Sequence, residues 1–463
     1  MIYGENRVDG IRIAYVGGGS RGWAWGLMSD LVSAPDMSGT VALYDIDAEA
    51  AKHNAVIGGL FNSAEGAATR WEYVVENTLE DALKGADFVI ISILPGTFDE
   101  MASDVHTPEK YGIYQSVGDT TGPGGIVRAL RTIPMFEVIA RAVEKCCPDA
   151  WVINYTNPMT ICVRTLYKTF PKIKAFGCCH EVFGVQGLLA AAYEDAFGGE
   201  VSGRREVKIN VVGVNHFTWL TSAHCRGVDL FPVYERFVEK YKDTGYTKGR
   251  SPTNYNYRFG CDHRVKFDLF RRYGNIAAAG DRHLAEFCEG KWYLASPEQV
   301  TSWGFGLTEV AWRIDDLHNR LEKSRKYLSG ELKPEIKRTG EDGVNQMRSL
   351  LGLSTFVTNV NLPNRGQIPD LPENAVVETN AVFSGNGVAP VLAGRLPDSI
   401  RGLVSRVVAE QEIVAEAGAE RDLDMAFSAF ANDPLVTVDI PTARKLFDEM
   451  TDNTKKYLKE YYA

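Results

Sequence analysis

The feature that most constrains this chain is a succession of apolar runs separated by stretches with helical spacing. IRIAYVG (11–17), VALYDID (41–47), FVIISILPG (88–96), WVINYTNP (151–158) and IKAFGC (173–178) each read as a buried strand. Strands apolar on both faces, with helices between them, predict an α/β fold: a Rossmann-type, doubly wound parallel sheet with helices on both sides. Ligands on such sheets bind outside the carboxyl ends of the strands, so polar residues at those ends become the candidates for chemistry.

The first strand runs into Gly17, Gly18, Gly19, Ser20, Arg21 and Gly22, a G-x-G-x-x-G pattern that opens a helix. The first glycine makes the tight turn, the second lets a pyrophosphate approach the backbone, and the third permits close helix packing. The next strand ends at Asp45, 23 residues after Gly22. A carboxylate there can accept from the adenosine ribose hydroxyls and repel a 2′-phosphate, which favours NAD over NADP. After about residue 200 the pattern changes: VKINVVGVNHFTWLT suggests two short strands, and 405–461 reads as mostly helix with breaks at Pro434 and Pro441. The 463 residues therefore divide into an NAD-binding domain over 1–200 and a second α/β (α+β) catalytic domain over 201–463, a layout like that of lactate and malate dehydrogenases. No Ser/Gly-rich linker separates them, so they are expected to share a cleft.

Composition narrows the partners. Fifty basic against 60 acidic side chains give a net charge of −10, the wrong balance for a nucleic-acid surface, and small molecules are the expected ligands. No apolar run reaches the ~18–20 residues of a membrane span, and MIYGENRVDG has no signal-peptide character, so a cytoplasmic location is expected. The eight cysteines lack a disulfide framework and read mostly as buried thiols.

Other strand ends carry their own candidates. Asn154 and Asn157 lie in NYTNP and can offer donors and acceptors to sugar-like hydroxyls, although turn formation is the plainer use of such residues. Cys179, His180 and Glu181 follow one strand, and Asn215 and His216 follow another. Cys179 with His216 could hold a divalent metal with open positions. The segment 118–125, GDTTGPGG, lies in a connection long enough to hide a helix near 98–111 and to form an active-site loop. Asp268 and Tyr273 precede Asp281, Arg282 and His283, and the neighbouring Arg271 and Arg272 would favour a tyrosinate.

Taken together, GGGS (17–20), SVGDTTGPGGIVRALRTIP (116–134), NYTNP (154–158), CHEV (179–182), GVNHF (213–217), VVE (376–378), NGVAP (386–390) and the late Asp433-Pro434 resemble glycoside hydrolase family 4, the NAD- and divalent-metal-dependent glycosidases. CHEV resembles the α-galacturonidase subgroup. The resemblance implies hydrolysis of α-galacturonides through NAD-dependent oxidation at C3, C2 deprotonation, elimination of the aglycone, water addition and re-reduction. It further implies Mn2+ or another divalent cation on Cys179 and His216, with Asn157 contacting substrate. His180 would assist the leaving group and contact substrate. Tyr273 would act as base, with Asp268 upstream, and Asp268, Asp281 or His283 stand next in line. Arg128, Arg131 and Arg282 are the candidates for the sugar carboxylate, Arg282 being the one taken here. A homodimer or homotetramer is expected. The alternatives are an α-galactosidase or α-glucuronidase of the same family, or an NAD-dependent 2-hydroxyacid dehydrogenase.

Overall fold

A computed structural model describes residues 1–247 and 259–463. Its main sheet contains six parallel strands in the order Trp71–Val75, Met37–Tyr44, Val8–Val16, Phe88–Ile91, Trp151–Asn154 and Lys174–Gly177. In sequence rank this is 3-2-1-4-5-6, the doubly wound dinucleotide-binding order, and the expected fold class holds. The apolar runs are continuous because both faces of the sheet are covered. Ile13, Tyr15, Phe88, Ile90 and Ile153 pack into one hydrophobic layer, while Ala14, Val16, Val89, Ile91 and Val152 pack into the other.

Three later strands extend this sheet. Phe356–Pro363 joins Lys174–Gly177 antiparallel through Asn361 opposite Gly177, and is followed outward by Val376–Ser384 and Gly387–Pro390. The second sheet is antiparallel and centres on the hairpin Val207–Val214 and Phe217–Cys225, with Val228–Asp229 and Ile276–Ala277 beside the second strand. The C-terminal region forms helices Asp398–Glu420, Leu423–Asn432 and Ile440–Asn453, with Pro434 between two of them and Pro441 in the first turn of the last. The connection after Phe88–Ile91 contains the helix Phe98–His106, opened by a Thr97/Glu100 capping box. Among the described residues no helix is long and apolar enough to cross a membrane.

Gly122–Cys146 is the longest helix and continues past Pro134. Proline has no N–H, so the carbonyl four residues earlier, on Leu130, loses its helical donor. The Tyr461 hydroxyl replaces it, donating to Leu130 O at 2.7 Å from a buried position near the C-terminus. Tyr461→Phe should therefore lower stability by about 1–3 kcal/mol, because a buried carbonyl loses its partner while ring packing is retained. Urea unfolding checks this; a variant as stable as the parent would mean that the bond contributes nothing.

Candidate functional site

The glycine loop is built into the sheet by its own backbone. Gly17 N and Gly18 N both donate to Tyr44 O at 2.9 Å, and Gly17 has φ +93°. A methyl group at Gly19 would lie 2.7 Å from Ala50 Cβ and 2.9 Å from Asp45 Oδ2, so only glycine fits between the loop and the neighbouring strand end. Asn54 donates to Gly18 O (2.8 Å) and Ser20 O (3.0 Å), and its own oxygen receives the Trp25 indole N–H at 2.8 Å. Gly22 precedes the helix Trp23–Val32, which has no side-chain cap and no acid in its first turn. That helix end suits an anion, and the cradle fits a dinucleotide pyrophosphate. Asp45 stands beside it, receiving Gly19 N at 2.8 Å and Asp47 N at 2.9 Å. Arg21 lies 3.8 Å from Asp47.

A second group of residues collects around His216. The carboxylate of Asp119 and the rings of His216 and His283 each offer a ligand atom within 4.8 Å of the others, and the two imidazoles lie 3.7 Å apart. The Thr120 hydroxyl bridges the group, 2.6 Å from Asp119 Oδ1 and 2.9 Å from His216 Nδ1. Asn157 donates to Asp119 Oδ2 at 3.2 Å. Glu181 receives Gly280 N at 2.6 Å and lies 3.7 Å from His283 Nε2. His283 Nδ1, Asn157 Oδ1 and Asn215 Oδ1 are buried with no hydrogen-bond partner. Orphaned polar atoms around two imidazoles and a carboxylate form a donor set that fits a divalent cation.

The electrostatics agree with that use. Burial, then the facing His283, pushes His216 down to about 3, and burial lowers His283 as well. Both rings therefore offer unprotonated nitrogens at neutral pH. Burial alone would raise Asp119, but His216, His283 and Arg128 hold it at about 2. Burial raises the Cys179 thiol well above its ordinary value, and the Glu378 and Glu181 carboxylates add to this. A cation bound there would have to displace its proton.

The structure brings some of the expected residues together and separates others. His216 is in the cluster, and Asn157 touches it. Cys179 is not one of the three; its thiol lies beside the Asn215 side chain, on the residue before His216, and near the Glu378 carboxylate. His180 opens the helix Glu181–Phe197, with Nδ1 3.0 Å from Glu341 Oε1 and its ring stacked 6.1 Å from that of Trp23. The Glu341 hydrogen bond raises its pKa to about 9. Asn154 spends its amide on Thr156 in a local turn. Asp268 accepts from Tyr293 OH and Arg272, and Tyr273 packs edge-on against Trp219; none of their contacts reaches Asp119, His216 or His283. Asp281 is paired with Lys266 at 3.0 Å. Arg131 is paired with Asp104, and Arg282 donates to Ser116 O, Gly306 O and Thr308 Oγ1. Arg128 lies beside the cluster, donating to Asn157 O at 3.1 Å. Glu181 is among the candidates of its strand end, whereas Asp119 is not named individually by the sequence pattern; the signal available for it is its place as the one acid in the glycine-rich segment 118–125.

The family model described as Family 4 glycosyl hydrolase matches residues 12–194, and that of the Family 4 glycosyl hydrolase C-terminal domain matches residues 211–436. The chain belongs to glycosyl hydrolase family 4. A relative, the Alpha-galacturonidase of Thermoanaerobacterium saccharolyticum (strain DSM 8691 / JW/SL-YS485), is 61% identical over 458 residues, covering 99% of this chain and 98% of that protein. The crystal structure of the Bacillus subtilis protein lplD superposes with a TM-score of 0.90 at 50% identity, covering 96% of this chain and 100% of that one. A 6-phospho-alpha-glucosidase from gut microorganisms, solved with NAD and Mn2+, shares the fold with a TM-score of 0.80 at 20% identity, over 97% and 99% of the two chains.

Two measurements follow for this family 4 site. His216→Ala and Asp119→Asn should each weaken Mn2+ binding, by roughly 10-fold or more, with the fold retained; unchanged titrations would remove them from the donor set. With chelator present, unfolded His216 takes up a proton near 6.5 whereas the folded ring does so only near 3. The unfolded state binds more protons in that window, so stability should fall as pH drops from about 6.5 toward 3. His216→Asn should make that slope shallower in denaturant titrations.

Proposed function

We propose that this chain cleaves α-galacturonides, using a bound NAD and a divalent cation, Mn2+ being the probe of choice. The observation that carries the reading is the full-length kinship with an Alpha-galacturonidase, and the CHEV segment is consistent with it. The geometry supports the two cofactors: the glycine loop after Val8–Val16 forms a dinucleotide cradle, and Asp119, His216 and His283 form a cation donor set. NAD would supply a reversible hydride acceptor for C3 of the sugar, and the cation would supply positive charge for the neighbouring oxygens.

The chain's own residues do the rest. Gly17, Gly18, Gly19, Ser20, Arg21 and Gly22 hold the pyrophosphate, and Asp45 takes the ribose hydroxyls. Asp119, His216 and His283 hold the cation, with Cys179 at the margin. Asn157, whose Oδ1 has no partner, receives a sugar hydroxyl. His180 carries its proton at neutral pH and delivers it to the departing oxygen, with Glu341 fixing its ring. Tyr273, upstream of which lies Asp268, is kept as the base for the C2 proton on the sequence pattern, and Arg282 as the carboxylate contact. The working protein is a cytoplasmic homodimer or homotetramer, built of an NAD-binding unit over 1–200 and a unit over 201–463 that also adds the strands of 356–390 to the first unit's sheet.

The test uses a nitrophenyl α-galacturonide. Aglycone release should require NAD and Mn2+ without net NADH accumulation, and product formed in deuterated water should carry deuterium at C2. Faster release from the α-galactoside or α-glucuronide would transfer the reading to those sugars, and a C2 position without label would overturn the elimination route. Tyr273→Phe should lose both exchange and turnover; if exchange persists, the base moves to Asp268, Asp281 or His283. Asp45→Ala should weaken NAD binding and relax rejection of NADP, and equal use of the two cofactors by the parent would remove Asp45 from that role.

A further inference from the structure

Asp433-Pro434 stood out in the sequence, yet nothing in the reaction uses it. Its place becomes clear from the loop Val117–Gly122, which carries Asp119 and Thr120. Buried acids grip the backbone of that loop at both ends. Glu286 Oε1 accepts from Val117 N at 2.7 Å and Gly118 N at 3.0 Å. At the far end, Asp433 Oδ2 accepts from Gly122 N at 2.9 Å and from the Thr121 hydroxyl at 3.2 Å, while its Oδ1 accepts from Leu435 N at 2.8 Å. Glu410, reaching in from the helix Asp398–Glu420, brings Oε1 within 3.4 Å of the same Thr121 hydroxyl.

Asp433 and Glu410 are 2% and 7% exposed. Two carboxylates cannot both stay ionised side by side in such a place. The donors decide which one keeps its charge. Asp433 faces two backbone N–H groups as well as the hydroxyl, and ionisation suits it. Glu410 faces no amide, and the single Thr121 hydrogen is already claimed, so Glu410 is the one that can hold a proton and donate it to Asp433. Burial raises both groups, and Asp433 together with its hydrogen bond raises Glu410 further; Arg406, which donates to Phe287 O at 2.6 Å, opposes this in both.

We propose that Asp433 and Glu410 share one proton and act as positioning residues, fixing Thr121 and Gly122 so that Asp119 and Thr120 meet His216. The pair touches neither substrate nor cofactor; it acts through the loop. The proposal rests on Asp119, His216 and His283 being the cation donors.

The test is Mn2+ binding by calorimetry to the full-length protein, without substrate, well below each variant's unfolding temperature. Glu410→Leu, which leaves the Asp433 charge without its donor, and Asp433→Asn, which turns an acceptor toward N–H groups as a donor, should each weaken Mn2+ binding roughly 10- to 100-fold. Glu410→Gln keeps a donor of similar shape and should restore the affinity lost in Glu410→Leu. Parent-like affinity in Glu410→Leu or Asp433→Asn would overturn the positioning role, and failure of Glu410→Gln to rescue would overturn the shared proton. The infrared difference between parent and Glu410→Gln at neutral pH should contain the carbonyl band of a protonated carboxylic acid, and its absence would overturn the same assignment even if the other variants fail to fold. Asp119→Asn is the control: if it leaves Mn2+ affinity unchanged, the cation reading fails, while the infrared band still judges the proton.

Discussion

The arrangement of the site depends on one buried carboxylate, Glu378. It lies in Val376–Ser384, which belongs to the main sheet, and its two oxygens receive the Asn215 side-chain amide at 3.0 Å and the Asn359 amide at 2.6 Å. Asn215 is in the turn of the second sheet's hairpin, so this contact ties the two sheets together at the point where chemistry is expected. Asn359 also reaches Cys179 O at 3.2 Å, bringing the strand end that leads to Glu181 into the same network. A buried carboxylate is costly unless hydrogen-bonded, and unpaired amides are costly as well; each partner therefore fixes the other.

The neighbouring His216 shows what that joint is for. It occupies a two-residue turn between Val214 and Phe217 with φ +65°, where glycine or asparagine would be less strained. A histidine held in that conformation, with its ring against His283 and the Thr120 hydroxyl, points to a need for the imidazole itself. Thr120 and Asp119 arrive from the opposite side, on the loop that precedes the helix Gly122–Cys146. The trio thus joins a hairpin turn, a helix-opening loop and the short helix Asp281–Glu286, three elements far apart in sequence.

This explains how much of the molecule was legible beforehand. The parallel strands announce themselves because both their faces are buried, and the glycine loop because its spacing is set by backbone contacts within one β-α-β unit. The attachment of Phe356–Pro363 and its antiparallel neighbours to the first sheet depends on a pairing with a strand some 180 residues earlier, about which local pattern says nothing. Asp119 is legible only as part of a candidate active-site loop, since the partners that single it out come from other elements. Asp268 and Tyr273 illustrate the opposite difficulty. Five residues apart on a helix, they are separated by about 140° around its axis, so one spacing cannot place both side chains on the same face. Arg282 directs donors at Ser116 O, Gly306 O and Thr308 Oγ1, tying the loop before Val117 to the second half of the chain, a set of partners that local pattern does not show.

The protonation pattern bears on the reaction class. Ordinary glycosidic hydrolysis uses two carboxyl groups across the scissile bond, one kept protonated as acid and the other ionised. Around the His216 cluster, the acids that face the histidines, Asp119 and Glu181, are both held near 2 despite burial. The nearby acids that burial raises are occupied elsewhere: Glu286, pushed up to about 8, accepts the amides of Val117 and Gly118, and Glu378 accepts Asn215 and Asn359. His180, whose hydrogen bond with Glu341 raises its pKa to about 9, is an imidazolium at neutral pH and does not lie among those carboxylates' hydrogen bonds. The unprotonated nitrogens of His216 and His283, facing an ionised Asp119, are therefore the feature of this neighbourhood that differs most from a paired-carboxylate site.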